Sequence, residues 1–147
     1  MAATALVGMA ILKPVVALAA WTMVMWLWMI VTRARAMSAA KLDVTKMVGG
    51  RGPDLEGTLP DEIMWIAHNH NHLHEGPTVF YAVALVLAVT GHGDGLNAVL
   101  GWAYMGLRVA HSIVQVSINR VIVRFAMYAL SSLVLIALVV HAALAVF

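Results

Sequence analysis

Three observations predict an all-α integral membrane protein, a single-domain four-helix bundle spanning residues 1–147. Apolar residues make up 63% of the chain and charged residues only 11%, against about 25% charged in soluble domains. That leaves too little polar surface to cover a water-exposed globule. The apolar residues fall in runs close to the ~20 residues that cross a bilayer at 1.5 Å each. Between the runs lie two clusters of turn-forming residues, at 49–60 and 91–95. The length fits one domain. Nine Lys and Arg nearly balance seven Asp and Glu, so the pI of 9.3 does not point to nucleic acid. With no cysteine, disulfides, thiolate metal sites and cysteine nucleophiles are excluded.

The first span is expected over residues 10–32. Nineteen uncharged residues, Pro14 to Thr32, lie between Lys13 and Arg33, and the apolar Leu6–Leu12 extends them backwards. A cleavable signal peptide carries its positive charge before the apolar run. Here Lys13 falls inside the run and Arg33 and Arg35 follow it, so an uncleaved helix is expected. Trp21, Trp26, Trp28 and Trp102 read as lipid or interface anchors, and the methionines as packing filler.

Residues 33–60 form the one long polar segment, read as a loop because Gly49-Gly50, Gly52-Pro53, Gly57 and Pro60 punctuate it. Thr58-Leu59-Pro60-Asp61 then reads as a helix start, with a capping side chain, an early proline and acids in the first turn. The second span covers 62–90 and ends at Gly91-His92-Gly93-Asp94-Gly95. The third covers 96–117 and the fourth 121–146. Arg33, Arg35, Lys41, Lys46 and Arg51 follow the first span, and Arg120 and Arg124 flank the start of the fourth. The loop after the second span has no Lys or Arg. The positive-inside rule therefore places both termini outside and the 33–60 loop in the cytoplasm. The expected location is a bacterial inner membrane.

The second span holds the block His68-Asn69-His70-Asn71-His72-Leu73-His74-Glu75. Only Gly76 to Thr90 is cleanly apolar, roughly 22 Å of helix, so part of the block lies at membrane depth. Polar groups there face a bundle interior or a cavity. At 100° per residue His68, Asn71, His72 and Glu75 share one face, with His70, His74 and Tyr81 opposite. The alternation resembles a strand, but lipid forbids an isolated one. In the third span Arg108, His111, Ser112, Gln115 and Asn119 form a narrow polar stripe. Counting depth from each helix end places Arg108 and Glu75 level, and predicts that they approach each other and offset each other's desolvation. His68/His72 and His70/His74 have the i, i+4 spacing of helical metal ligands, without an identifiable third ligand. His72 and His111 could instead ligate a haem. His141, alone in an apolar run, reads as structural.

Asn71-His72-Leu73-His74-Glu75-Gly76-Pro77-Thr78-Val79-Phe80-Tyr81 in the second span and Arg108-Val109-Ala110-His111 in the third resemble the MAPEG family, the membrane-associated proteins in eicosanoid and glutathione metabolism. Asn119-Arg120-Val121-Ile122-Val123-Arg124 is similar to its bacterial branch, and the whole resembles microsomal glutathione transferase. The resemblance implies a homotrimer with glutathione held between subunits near the cytoplasmic side. It implies a glutathione-dependent transferase or peroxidase acting on hydrophobic electrophiles taken from the bilayer. Arg124, or failing that Arg120, would stabilise the glutathione thiolate. Asn71 or His72 would take the place of the family's second-helix asparagine, and Glu75, Arg108 and His111 would line the polar core beside glutathione. The chain has Ala67-His68 where glutathione-using members usually carry an arginine, and Gln115 where they often carry a tyrosine. The alternatives are a non-enzymatic subunit or docking partner within a larger membrane assembly, and a histidine-based metal or haem site.

Overall fold

The structure, a computed structural model, describes residues 8–147. Its regular elements are four long helices and one short 3-10 turn: α1 Leu12–Ala39, the turn Gly52–Leu55, α2 Asp61–Val89, α3 Leu96–Val116 and α4 Val121–Val146. No strand occurs among the described residues; Glu56 and Leu59 form an isolated bridge. α2 packs against α1, α3 and α4, and α3 also packs against both α1 and α4. The α2–α3 pair is thus the centre, with α1 and α4 as its flanks. Leu18, Met25, Leu73, Phe80, Tyr104 and Leu138, one or two from each helix, are buried in a common core.

α1, α2 and α4 are each long and apolar enough to cross a membrane by length and composition. α3 is not among them, because Arg108, His111, Ser112 and Gln115 dilute its apolarity. All four of those side chains are buried. The stripe that lowers its hydropathy faces protein, as polar residues at membrane depth must.

Several boundaries differ from the sequence reading. α1 does not stop at Thr32 but runs to Ala39, so Arg33 and Arg35 sit on a helix and the irregular segment starts at Ala40. Charge ends a membrane span but not a helix; Ala, Arg and Met are good helix formers, and the chain breaks only at Lys41, with φ 54. The backward extension over Leu6–Leu12 falls partly outside the described residues. α2 starts at Asp61 after Pro60 with two acids in its first turn, but no side chain caps it. Trp26, Trp28 and Trp102 are exposed, whereas Trp21 turns inward and donates its indole N–H to Ser112 Oγ at 3.0 Å.

Two turns fix the helix order. At the α2–α3 end, Gly91 and Gly95 adopt φ 77 and 58, a region that glycine enters without a Cβ penalty. Asp94 in this turn accepts the backbone N–H of Gly8 at 2.7 Å and of Ala10 at 3.0 Å, and Ile11 N–H donates to the Gly93 carbonyl at 2.9 Å. These bonds hold the Asp94 carboxyl below the ordinary carboxylate range. At the α3–α4 end no glycine is available, and Asn119 takes the positive φ of 47, a role to which asparagine is suited. Its N–H closes on the Val114 carbonyl at 2.9 Å, and its side-chain oxygen accepts from Arg124.

Candidate functional site

Helix periodicity alone determines which polar residues meet. The buried line on α2 runs Ile66, Asn69, Leu73, Pro77, Phe80, Ala84 and Leu87, spaced three and four apart. Asn69 therefore occupies a core position and is completely buried. Its Nδ2 donates to Ser112 Oγ at 2.7 Å, the same oxygen that receives Trp21. One hydroxyl on α3 thus joins α1 and α2. The sequence reading passed over Asn69; its place in that apolar line was the signal.

One residue round the helix, His72 is the hub of the second cluster. Arg108, only 1% exposed, donates from Nη2 to the His72 carbonyl at 3.0 Å, and its Nη1 lies 3.5 Å from His72 Nε2. His72 Nδ1 faces Glu75 Oε2 at 3.3 Å. The ring of His111 stands 4.9 Å from that of His72, centre to centre, and that of Tyr128 5.7 Å. Pro77 has no N–H to donate to the Leu73 carbonyl, so the helix backbone is opened beside the carbonyl that Arg108 uses. Gly76 keeps the surface flat there: a Cβ would stand 3.6 Å from both Arg108 Nη2 and the Tyr104 hydroxyl.

This geometry corrects one expectation. Arg108 and Glu75 form no ion pair; the Glu75 side chain is 73% exposed and reaches Arg108 only through His72. Glu75 is three residues further along α2 than His72, beyond the imidazole. The desolvation of Arg108 is offset in part by a backbone carbonyl and an imidazole nitrogen instead of a carboxylate, while its Nε has no partner.

The remaining expected site residues divide between two clefts. His72, His111, Val121, Arg124, Phe125 and Tyr128 line one of about 230 Å³, where α3 turns into α4. Arg124 is anchored there by Asn119, and its buried Nε has no partner. Arg120 is exposed and is not part of the lining. Asn71 lines a second cleft of about 220 Å³ with Met29, Arg33, Met64, His68 and His70, on the α1 side of α2. Asn71 and Arg124 are therefore on different flanks of the chain.

The alternating histidines separate into different surroundings: His68 Nε2 meets Glu56 at 3.0 Å, His72 faces Arg108, and His70 and His74 stay side by side, ring centres 4.5 Å apart, with His74 Nδ1 at the His70 carbonyl at 2.9 Å. Among the described residues no three His, Asp or Glu side chains are grouped to hold a metal ion. His141 Nδ1 pairs with Asn97 Oδ1 at 2.6 Å, bracing α4 against α3 at the opposite end.

Compared with known protein families, residues 11–144 match the MAPEG family. The chain belongs to the MAPEG family. No curated protein and no solved structure matches it. The match runs from the residue before α1 to within two residues of the end of α4. This MAPEG protein is accordingly an integral membrane protein. The positions at which the sequence departs from the pattern expected of glutathione-using members are now located: Ala67 is buried and His68 exposed, and Gln115 is buried with no hydrogen-bond partner for its Oε1.

Proposed function

We propose that this MAPEG protein is a glutathione-dependent membrane transferase or peroxidase of the bacterial branch, acting on hydrophobic electrophiles. The observation that carries the reading is the cleft at the α3–α4 turn. A guanidinium, two imidazoles and a phenol converge there beneath an apolar rim of Val121 and Phe125. When bound, glutathione supplies a thiol whose anion attacks an electrophilic carbon or a peroxide oxygen. A guanidinium stays charged at every physiological pH and lowers the pKa of a nearby thiol. Arg124, pre-oriented by Asn119, takes that role, while Arg120 on the exposed approach adds positive potential. His72 and His111 offer hydrogen bonds to the tripeptide, and the apolar rim admits a second substrate from the bilayer, which supplies proximity.

Asn71 joins the site through the homotrimer that the family resemblance implies, with glutathione held between neighbouring subunits; its place on a different flank from Arg124 is compatible with that. In this reading α3 crosses the inner membrane as a fourth span, with both termini outside. Its 21 residues give about 31 Å of helix.

The test is glutathione binding to detergent-purified protein, read by calorimetry and by the ultraviolet absorbance of the thiolate. Saturable binding with a thiolate signal is expected, the signal falling at least tenfold in Arg124→Ala and less in Arg120→Ala. Absence of saturable binding at millimolar glutathione would overturn the reading. It would favour the alternative of a non-enzymatic subunit, for which the bonding of Arg108 to the α2 backbone is a structural bolt.

A further inference from the structure

We propose that the cavity between the end of α1 and the glycine loop binds the phosphate of an anionic phospholipid, clamped by Arg33. The inference rests on the membrane placement of α1; because Arg33 also borders the Asn71 cleft, lipid retention is measured without glutathione, so that failure of one reading leaves the other standing. From Leu12 to Thr32, α1 rises about 31 Å, the thickness of a hydrocarbon core. Arg33 is the next residue and so stands at headgroup level.

The cavity, about 320 Å³, has a cationic wall and an apolar wall. On the first, Arg33 has no ion-pair partner among the described residues, and its Nε is buried without a hydrogen bond. Its guanidinium lies over Gly52, where a Cβ would stand 3.4 Å from Nη2. Gly49 and Gly50, with φ 70 and 96, carry the chain past it, and their N–H groups donate to no backbone acceptor. Asp54 also lines the cavity but is committed to Arg51. One of its oxygens accepts the Arg51 N–H at 2.6 Å, and the other faces Arg51 Nη2 at 3.5 Å. On the second wall are Met37, Val44 and Met47, the last two about half exposed.

A phosphate anion satisfies the cationic wall. Only a phosphate carrying acyl chains also covers the methionines and the valine, which at this depth meet the top of the lipid tails. A guanidinium recognises phosphate through two parallel N–H bonds, and a basic residue at a membrane surface adds attraction for anionic lipid.

The protein is purified in a non-ionic detergent and retained lipid is counted by native mass spectrometry. Phosphatidylglycerol, phosphatidylcholine and inorganic phosphate are added separately. Phosphatidylglycerol is expected to be retained over phosphatidylcholine, with affinity falling about tenfold in Arg33→Gln. Gly52→Val keeps the charge but fills the space over the guanidinium, and should weaken retention similarly. Lys46→Gln, whose ammonium is exposed and paired with Asp43, should leave it unchanged. Equal losses in Lys46→Gln and Arg33→Gln would overturn the site in favour of diffuse charge. Equal retention of the two lipids would overturn it as well. Displacement of phosphatidylglycerol by millimolar inorganic phosphate would identify a free-anion site and overturn the lipid assignment.

Discussion

Ser112→Ala removes one oxygen and leaves two donors on two other helices without an acceptor. Asn69 Nδ2, at 2.7 Å, belongs to a fully buried side chain; Trp21 Nε1, at 3.0 Å, is part-buried. A buried donor left unpaired costs about 1–3 kcal/mol, so Asn69 contributes about 2 kcal/mol and Trp21 about half to one. The better helix propensity of alanine returns about 0.5 kcal/mol. The expected loss is about 2 kcal/mol, a fall in Tm of roughly 4–8 °C for a protein of this size. This slightly exceeds the ~1.7 kcal/mol upper end for single interhelical hydrogen bonds in membranes, as two severed bonds should. The assay is reversible unfolding in mixed micelles, followed by tryptophan fluorescence and circular dichroism, with Ser112→Ala, Asn69→Leu and the double variant. The double variant removes the Asn69 donor and leaves only Trp21 Nε1 unpaired, so it should be no less stable than Ser112→Ala alone. A Ser112→Ala protein within ~0.5 kcal/mol of the parent would refute the reasoning, as would strictly additive losses in the double variant.

Two further outcomes test the ends of the bundle. Asp94 is held below its unfolded pKa of about 3.9 by the N–H groups of Gly8 and Ala10. Its stabilising contribution is complete at neutral pH and is lost as pH falls through the folded value, below about pH 4. The protection of the Gly8 and Ala10 amides, measured against the intrinsic exchange rate at each pH, should fall in that range and be low already at neutral pH in Asp94→Asn; an unchanged acid transition in the variant would refute the assignment. Gly101→Val brings a Cβ to 3.0 Å from Pro14 Cγ and 3.1 Å from Ile11 Cγ1, and should cost about 1–3 kcal/mol through overpacking. Gly106→Ala meets nothing within 4 Å and should be neutral or up to ~1 kcal/mol stabilising; equal losses at both positions in thermal unfolding would remove the packing argument.

The helices and the α3 stripe were legible because they rest on periodicity and on the cost of polar groups in lipid. Both depend on the local chain alone. Arg108, His111, Ser112 and Gln115 are buried together as their spacing implied. The partner of Arg108 was not legible. Charge complementarity suggested Glu75, whereas Pro77 opens the α2 backbone and the carbonyl of His72 is nearer. Asn69 was not legible because it lies within a continuous polar block, although it falls on the three-and-four register of Ile66, Leu73 and Phe80. The α3–α4 turn contained neither glycine nor proline, and the left-handed conformation fell to Asn119, which sequence had placed in the stripe. The distribution of Asn71 and Arg124 onto opposite flanks depends on how helices pack, which no single-helix argument contains.

Arg108 and Arg124 share one end of the bundle, and among the described residues neither has a carboxylate within ion-pair distance. Assembled this way, the cleft exposes the unpaired charge of Arg124 to any anion that enters it. Such an anion binds the folded state alone, and at a hundred times its dissociation constant would raise stability by about 2.7 kcal/mol. Heat resistance then becomes a gauge of cleft occupancy, and graded panels of thiol peptides, carboxylates and acidic lipids could be ranked by melting point before any turnover is measured.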